Sequence, residues 1–137
     1  MTSGRIEPDV VGLPEPLQAW HRVAEAQDPA LLADLLAEDC VFRSPAVHAP
    51  QEGVELATAY LTAAIRVLGP TLRYVGQWWG QTSAVLEFEA DLDGTQVHGV
   101  DMLRWNADGR LTSFTVMVRP VRGLTTLIER MRAELDV

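Results

Sequence analysis

The sequence places one carboxylate, Asp101, where its burial would cost free energy. The segment TQVHGVDMLRW alternates between apolar and other residues, which places Asp101 on the same side of a strand as Val97, Leu103 and Trp105. A charged group on such a face is poorly solvated, so Asp101 should have a raised pKa, a hydrogen-bonding partner or access to a watery cavity. We therefore predict that Asp101 is the acid or base of a site. The alternative is a structural Asp held by a core Trp or Tyr donor, or one at a dimer seam.

Three histidines are the other candidates for proton transfer near neutral pH. His48 follows an SPAV turn and is predicted either at a cavity mouth or in an exposed loop. His98 alternates away from Asp101 and is predicted on the outer face of the sheet, and His21 at the surface edge of a helix. No two histidines have the spacing of metal ligands, so no metal site is predicted.

Aromatic and apolar residues around these positions predict a pocket. In LRYVGQWW, alternation puts Leu72, Tyr74, Gly76 and Trp78 on one side. The predicted lining residues are Trp20, Ser44, His48, Tyr60, Tyr74, Trp78, Phe88, Leu103 and Met117. Such a lining suits a small apolar or aromatic molecule, whereas the alternative is a filled core.

Composition excludes several functional classes. The 137 residues carry a formal charge of −8, and the eleven basic residues are all arginine, so nucleic acid binding and lysine-based Schiff-base chemistry are not expected. The single cysteine, Cys40, excludes an internal disulfide. There is no signal peptide and no apolar run that would span a membrane, which favours a cytoplasmic protein without membrane contact. No cofactor is predicted.

The elements that must position these residues follow from hydrophobic periodicity. Residues 1–13 show no period and are predicted to be a flexible arm, followed by one domain over residues 14–137. Helices are predicted after Pro14, Pro29, Gly53 and Pro120. A short strand covers 40–43, and the period changes to two after residue 70, which predicts four strands separated by turns.

This order predicts an α+β fold. We expect a cone-shaped roll in which a curved, mainly antiparallel sheet is covered by three N-terminal helices, with a further helix at the C-terminus. Glu87, Glu89 and Asp91 give one sheet face a polar character. Because that face lacks a covering layer, a homodimer is predicted through the outer side of the sheet or the last helix.

Several motifs in this order resemble the nuclear transport factor 2-like superfamily. They are AEDCVFRSP after a Leu-rich helix, the helix start at Gly53, and GVDMLRWNADGRL leading into VRP. The resemblance covers about residues 14–135 and is to the SnoaL-like branch, which includes polyketide cyclases, ketosteroid isomerases and limonene epoxide hydrolases. It implies a cone-shaped pocket for a small molecule.

Only some of the catalytic residues of these families have counterparts in this sequence. Asp101 stands where ketosteroid isomerases have their oxyanion-binding acid, but Ser44 stands at the position of the proton-taking Asp and Trp20 at that of the oxyanion Tyr. Gly99 and Thr115 replace the Arg and second Asp of the epoxide hydrolases. Polyketide cyclases of this branch need little more than one carboxyl in an apolar cavity, a demand that Asp101 alone meets.

Two functions are therefore expected from the sequence. The first is a small-molecule pocket protein that acts as a cofactor-independent cyclase or isomerase, with Asp101 as acid or base on an apolar carbonyl compound. The second is a non-catalytic ligand-binding or accessory dimeric module of the same fold.

Overall fold

In the part of the chain that the structure describes, seven strands form one curved sheet, in the order β1-β4-β5-β6-β7-β2-β3. The structure, a computed structural model, describes residues 2–4 and 12–135. The strands are β1 (Thr2–Gly4), β2 (Leu36–Arg43), β3 (Gln51–Glu52), β4 (Arg73–Trp79), β5 (Ser83–Leu92), β6 (Thr95–Trp105) and β7 (Leu111–Arg119). All neighbouring strands are antiparallel except β2 and β7, which are parallel. The predicted α+β roll with a mainly antiparallel sheet is confirmed.

Helices cover the inner face of this sheet. They are α1 (Glu15–Ala26), α2 (Val54–Leu68) and α3 (Val121–Leu135), and a 3₁₀ helix spans Pro29–Asp34. The second predicted helix is thus a 3₁₀ helix, and the Asp28 side chain caps it by accepting a hydrogen bond from the Ala30 N–H at 3.0 Å. None of the helices in the described part of the chain is long and apolar enough to cross a membrane.

Burial along β5 and β6 alternates strictly, as the period of two predicts. On β6, Val97, Gly99, Asp101, Leu103 and Trp105 are all buried. A two-residue turn joins the two strands, and its Asp93 and Gly94 both have positive φ, of 54° and 90°. Asp101 therefore lies on the inner face, as the sequence predicted.

The alternation on β4 is broken by one extra residue. Tyr74 pairs with Phe88, and Gly76 pairs with Glu87, the residue adjacent to Phe88 on β5. Val75 therefore has no counterpart on β5 and is the extra residue of a bulge. Beyond it the faces exchange: Gln77 points inward and is buried, whereas Trp78 points outward and is 37% exposed. The prediction of one apolar side running through Trp78 is therefore wrong past the bulge.

The N-terminal segment adds one short strand at the edge of the sheet. Within the predicted arm, residues 2–4 pair with β4, while residues 1 and 5–11 lie outside the described residues. The flexible arm and the domain boundaries stay predictions.

Candidate functional site

The main cavity has a volume of about 310 Å³ and lies between α1, α2 and the inner face of the sheet. Three of the predicted site residues, Trp20, Tyr74 and Asp101, meet in its wall. The other lining residues are His21, Ala24, Glu25, Leu61, Ala64, Ile65, Leu68, Gly69, Leu72, Arg73, Phe114 and Val116. Most of this wall is apolar, so the few polar groups decide how a ligand is oriented.

A chain of two hydrogen bonds connects the three predicted residues. The Tyr74 hydroxyl donates to Oδ2 of Asp101 at 2.5 Å, and the Trp20 indole N–H donates to the same hydroxyl at 2.9 Å. Trp20 therefore fixes the hydroxyl so that its single proton points at the carboxyl. Among the described residues, the second carboxyl oxygen, Oδ1, has no hydrogen-bonding partner, and it is the atom left for a ligand.

Asp101 is an acid whose proton is exchangeable near neutral pH. The residue is 4% exposed, and this burial raises the pKa of the carboxyl to about 7, while the hydrogen bond from Tyr74 acts in the opposite direction. Tyr74 has a pKa well above its usual value, because of burial and of the adjacent carboxyl, and stays protonated. The site thus holds one group that can both donate and accept a proton at pH 7.

Phe88 and Gly99 hold the phenol in place. The Phe88 ring packs edge-on against that of Tyr74, with centroids 6.4 Å apart. Gly99 faces Phe88 across the β5–β6 pair, and a Cβ at position 99 would lie 2.8 Å from Phe88 Cζ and even closer to the carbonyl oxygen of Met117. A glycine at position 99 is therefore required by the packing that supports Tyr74.

His21 corrects a sequence prediction. It was expected at a surface edge, but it is 7% exposed and lines the main cavity, with Nε2 2.9 Å from Oε1 of Gln77. Its ring packs edge-on against Tyr74 at 5.7 Å between centroids. The signal was in the sequence: His21 lies four residues after Leu17 and three before Ala24, which is the spacing of the apolar face of α1.

A second cavity of about 230 Å³ contains two further predicted residues, Ser44 and Tyr60. It lies between α2, α3 and the segment after β2, and it shares Ala64, Leu68 and Val116 with the main cavity. The Ser44 hydroxyl accepts a hydrogen bond from the Ala46 N–H at 2.9 Å. Ser44 therefore lines the second cavity, whereas Asp101 lines the main one.

The remaining predicted lining residues lie outside both cavities. Phe88 and Leu103 are fully buried in the core, and His48 is in an exposed segment. Trp78 faces outward because of the bulge, and Met117, paired with Val100 on the outer face, is 54% exposed.

Two further candidates for chemistry, His98 and Cys40, lie away from the main cavity. His98 is on the outer face as predicted, with Nε2 2.6 Å from Glu87 and Nδ1 3.2 Å from Arg119. Burial raises the pKa of Cys40 to about 11, so its thiol is protonated and a poor nucleophile. Within the described residues, no three His, Cys, Asp or Glu side chains converge as metal ligands would.

A curved, mainly antiparallel sheet covered by helices is the cone-shaped fold of the nuclear transport factor 2-like type. The chain matches the SnoaL-like domain family over residues 17–114 and belongs to that family. No curated protein matches it.

Solved structures agree with this assignment. A steroid delta-isomerase from Pseudomonas aeruginosa is 34% identical, with a TM-score of 0.86 and 96% of each chain covered. An uncharacterised protein with a cystatin-like fold from Silicibacter pomeroyi is 26% identical, with a TM-score of 0.83 over 90% of this chain and 86% of its own. A putative SnoaL-like polyketide cyclase from Jannaschia sp. is 12% identical, with a TM-score of 0.66 over 88% and 97%, and shows the fold alone.

Proposed function

We propose that this protein binds a small, mostly apolar carbonyl compound in the main cavity and catalyses proton transfer next to the carbonyl, without a cofactor. This is the chemistry of an isomerase or cyclase. The observation that carries the proposal is Asp101: a buried carboxyl on an apolar cavity wall, held through one oxygen by Tyr74 and with a pKa near 7.

The hydrogen bonds of Asp101 support one position for the proton that we propose to react. Because Oδ2 accepts from Tyr74, the proton of neutral Asp101 resides on Oδ1, which is the oxygen left for a ligand. From there it hydrogen bonds to a carbonyl oxygen, whose negative charge grows as the neighbouring C–H bond breaks and an enol forms. When the proton moves to that oxygen, the Tyr74 hydroxyl stabilises the carboxylate that remains.

Similarity to the Pseudomonas protein supports an isomerase and adds a steroid ketone to the probes worth testing. Its substrate is not carried over unchanged, because Ser44 and Trp20 occupy the positions where the resemblance expects two further reacting groups. The cavity itself is compatible with two or more fused rings, at about 310 Å³.

The reaction type is tested by following double-bond migration. A β,γ-unsaturated ketone becomes conjugated when a proton moves through its enol, and conjugation creates an ultraviolet absorbance. We expect the wild-type protein to accelerate this change for 3-cyclohexenone or for a β,γ-unsaturated steroid ketone. Asp108→Asn, at an exposed turn carboxylate, is the matched control and should act as wild type. The absence of any acceleration over buffer with both probes would contradict the proposal.

A non-catalytic binding module is the second candidate function. It is favoured by Ser44, which lies in the second cavity and provides no carboxylate at the position where the resemblance expects the proton-taking Asp. Tight ligand binding by the wild-type protein, with no proton exchange into the ligand, would support this candidate.

A further inference from the structure

His21 and Gln77 form a buried polar pair that the proposed function does not yet use. The His21 ring and the Gln77 amide are 7% and 5% exposed, and Nε2 lies 2.9 Å from Oε1. The pair exists because the bulge at Val75 turns Gln77 inward, towards α1. A buried imidazole fixed by a single partner is a common arrangement for a group that must keep one tautomer.

The imidazole of this pair lies in the wall of the same cavity as Asp101. His21 and Asp101 both line it, and both contact Tyr74: the imidazole packs on the phenol ring at 5.7 Å, and the carboxyl accepts the hydroxyl proton. A ligand lying against Tyr74 would therefore have a carboxyl near one part of it and an imidazole near another.

Hydrogen bonding determines which imidazole nitrogen is free. An amide oxygen only accepts, so Nε2 carries the proton that it donates to Gln77, and Nδ1 has the unshared electron pair. Burial lowers the pKa of His21, which keeps the ring neutral at pH 7. The charged and titratable groups around it are Glu25 on its own helix, Arg73 and Tyr74 on β4, and Asp101 on β6.

We propose that His21 is the catalytic base of this cavity, with Nδ1 taking the proton from the carbon next to the ligand carbonyl, and that Gln77 is its positioning residue. This inference rests on the proposed function. It gives the cavity the proton acceptor that Ser44, in the second cavity, cannot supply.

The step balances without a co-reactant. The C–H electron pair becomes the C=C bond of the enol, the proton moves to Nδ1, and the carbonyl oxygen takes or shares the Asp101 proton. Return of the proton from Nδ1 to another carbon of the enol, and of the oxygen-bound proton to Asp101, completes an isomerisation. Nothing is oxidised or reduced, and both side chains end in their starting forms.

The test uses deuterium exchange into 2-tetralone, a bicyclic ketone with acidic α protons, followed by proton NMR in D₂O. We expect His21→Gln to lower the catalysed exchange by about 10²–10⁴-fold, the usual contribution of a positioned base. Affinity for 2-naphthol, a planar analogue of the enol, should stay within about threefold. His98→Gln, at an imidazole on the outer face, is the control and should exchange as wild type.

A pH profile separates a base from a merely structural histidine. We expect the exchange rate of the wild type to fall on the acid side as His21 becomes protonated. In Gln77→Glu, a carboxylate replaces the amide oxygen and favours the imidazolium, so this acid limb should move to higher pH. If His21 and Gln77 were only a structural pair, the acid limb of the exchange rate would lie at the same pH in Gln77→Glu as in wild type. This variant also decides the matter if His21→Gln does not fold.

The outcomes distinguish this inference from the proposed function. If wild type exchanges no faster than buffer, the proposed function fails. A different result would overturn only the role proposed for His21: exchange that depends on Asp101, together with a wild-type rate in His21→Gln or an unshifted acid limb in Gln77→Glu. The proposed function would then stand.

Discussion

The Tyr74 hydroxyl on β4 hydrogen bonds to Asp101 on β6 across the intervening strand β5, at 2.5 Å. The two residues are not on neighbouring strands, so this contact depends on the curvature of the sheet and on the position of the Tyr74 ring, against which Phe88 packs. The protonation state of Asp101 therefore depends on how the core packs around Tyr74.

Removing the Tyr74 hydroxyl group should raise the pKa of Asp101. The Tyr74 hydrogen bond favours the carboxylate, and a hydrogen bond to a charged group contributes about 1.5–3 kcal/mol, which corresponds to a change of about 1–2 in pKa. In Tyr74→Phe we therefore expect the Asp101 pKa to rise above 7 by about that amount. The measurement is a carbon NMR titration of the labelled carboxyl. Tyr60→Phe, in the second cavity, is the control, and an unchanged or lower pKa in Tyr74→Phe would contradict the hydrogen bond.

Asp101 should make the folded protein less stable as the pH rises. Its pKa is raised from 3.8 to about 7 on folding, so between these values the folded state holds a proton that the unfolded state has lost, and the free energy of unfolding decreases with pH. In Asp101→Asn this dependence is absent. We expect the difference in unfolding free energy between Asp101→Asn and wild type to grow by about 3 kcal/mol from pH 5 to pH 8, in favour of the variant.

Denaturant unfolding at a series of pH values measures this difference. Asp108→Asn, at an exposed carboxylate, should follow the wild-type curve throughout. A constant difference between Asp101→Asn and wild type would show that the Asp101 pKa is not raised.

Filling the boundary between the two cavities should prevent ligand binding. Ala64 on α2 lines both, so Ala64→Phe would place a ring where the ligand lies. We expect affinity for 2-naphthol to fall more than about tenfold while the melting temperature changes little, because the ring enters existing space. Leu56→Phe, on the exposed side of the same helix, should bind as wild type. Unchanged affinity in Ala64→Phe would place the ligand elsewhere.

The predicted homodimer has a specific test on the uncovered sheet face. Met117 and Trp78 are exposed there, and Val100 and Met102 lie on the same face. We expect wild type to sediment as a dimer at tens of micromolar and Met117→Glu to be a monomer, because a charge buried within this apolar patch of the interface is poorly solvated. Leu31→Glu, on the 3₁₀ helix, is the control. A dimer that survives Met117→Glu would favour the last helix, and a monomeric wild type would contradict the prediction.

How far the sequence predicts this site depends on the regularity of each element. On β6 the period of two is unbroken, so the inward direction of Asp101 follows from alternation alone. On β4 the extra residue at Val75 exchanges the faces, and alternation then gives the wrong direction for Trp78 and misses Gln77. A bulge is stabilised by tertiary contacts as well as local ones. The local signal in RYVGQWW is Gly76, because a glycine inside a strand often marks a bulge, but it does not by itself give the residue at which the faces exchange.

His21 and the hydrogen bonds to Asp101 show two different limits of prediction from the sequence. His21 is predicted at a surface edge from its place beside Trp20, whereas its helical spacing relative to Leu17 and Ala24 puts it on the buried face of α1, where the structure has it. The Trp20–Tyr74–Asp101 chain joins a helix and two strands that are far apart in sequence. The sequence predicts that all three residues face inward, but only the curvature of the sheet determines which of them touch.

The most direct test of the central claim compares Asp101→Asn with wild type in two measurements on one ligand pair. Asn keeps the shape and can still accept the Tyr74 hydrogen bond, but it cannot transfer a proton. We expect catalysed deuterium exchange into 2-tetralone to fall by about 10²–10⁴-fold, while 2-naphthol affinity changes by no more than one hydrogen bond, about 0.5–1.5 kcal/mol. If wild type binds 2-naphthol tightly yet exchanges 2-tetralone no faster than Asp101→Asn, then Asp101 is not an acid or base in this reaction. If both exchange no faster than buffer, the protein is a binding module for such ligands.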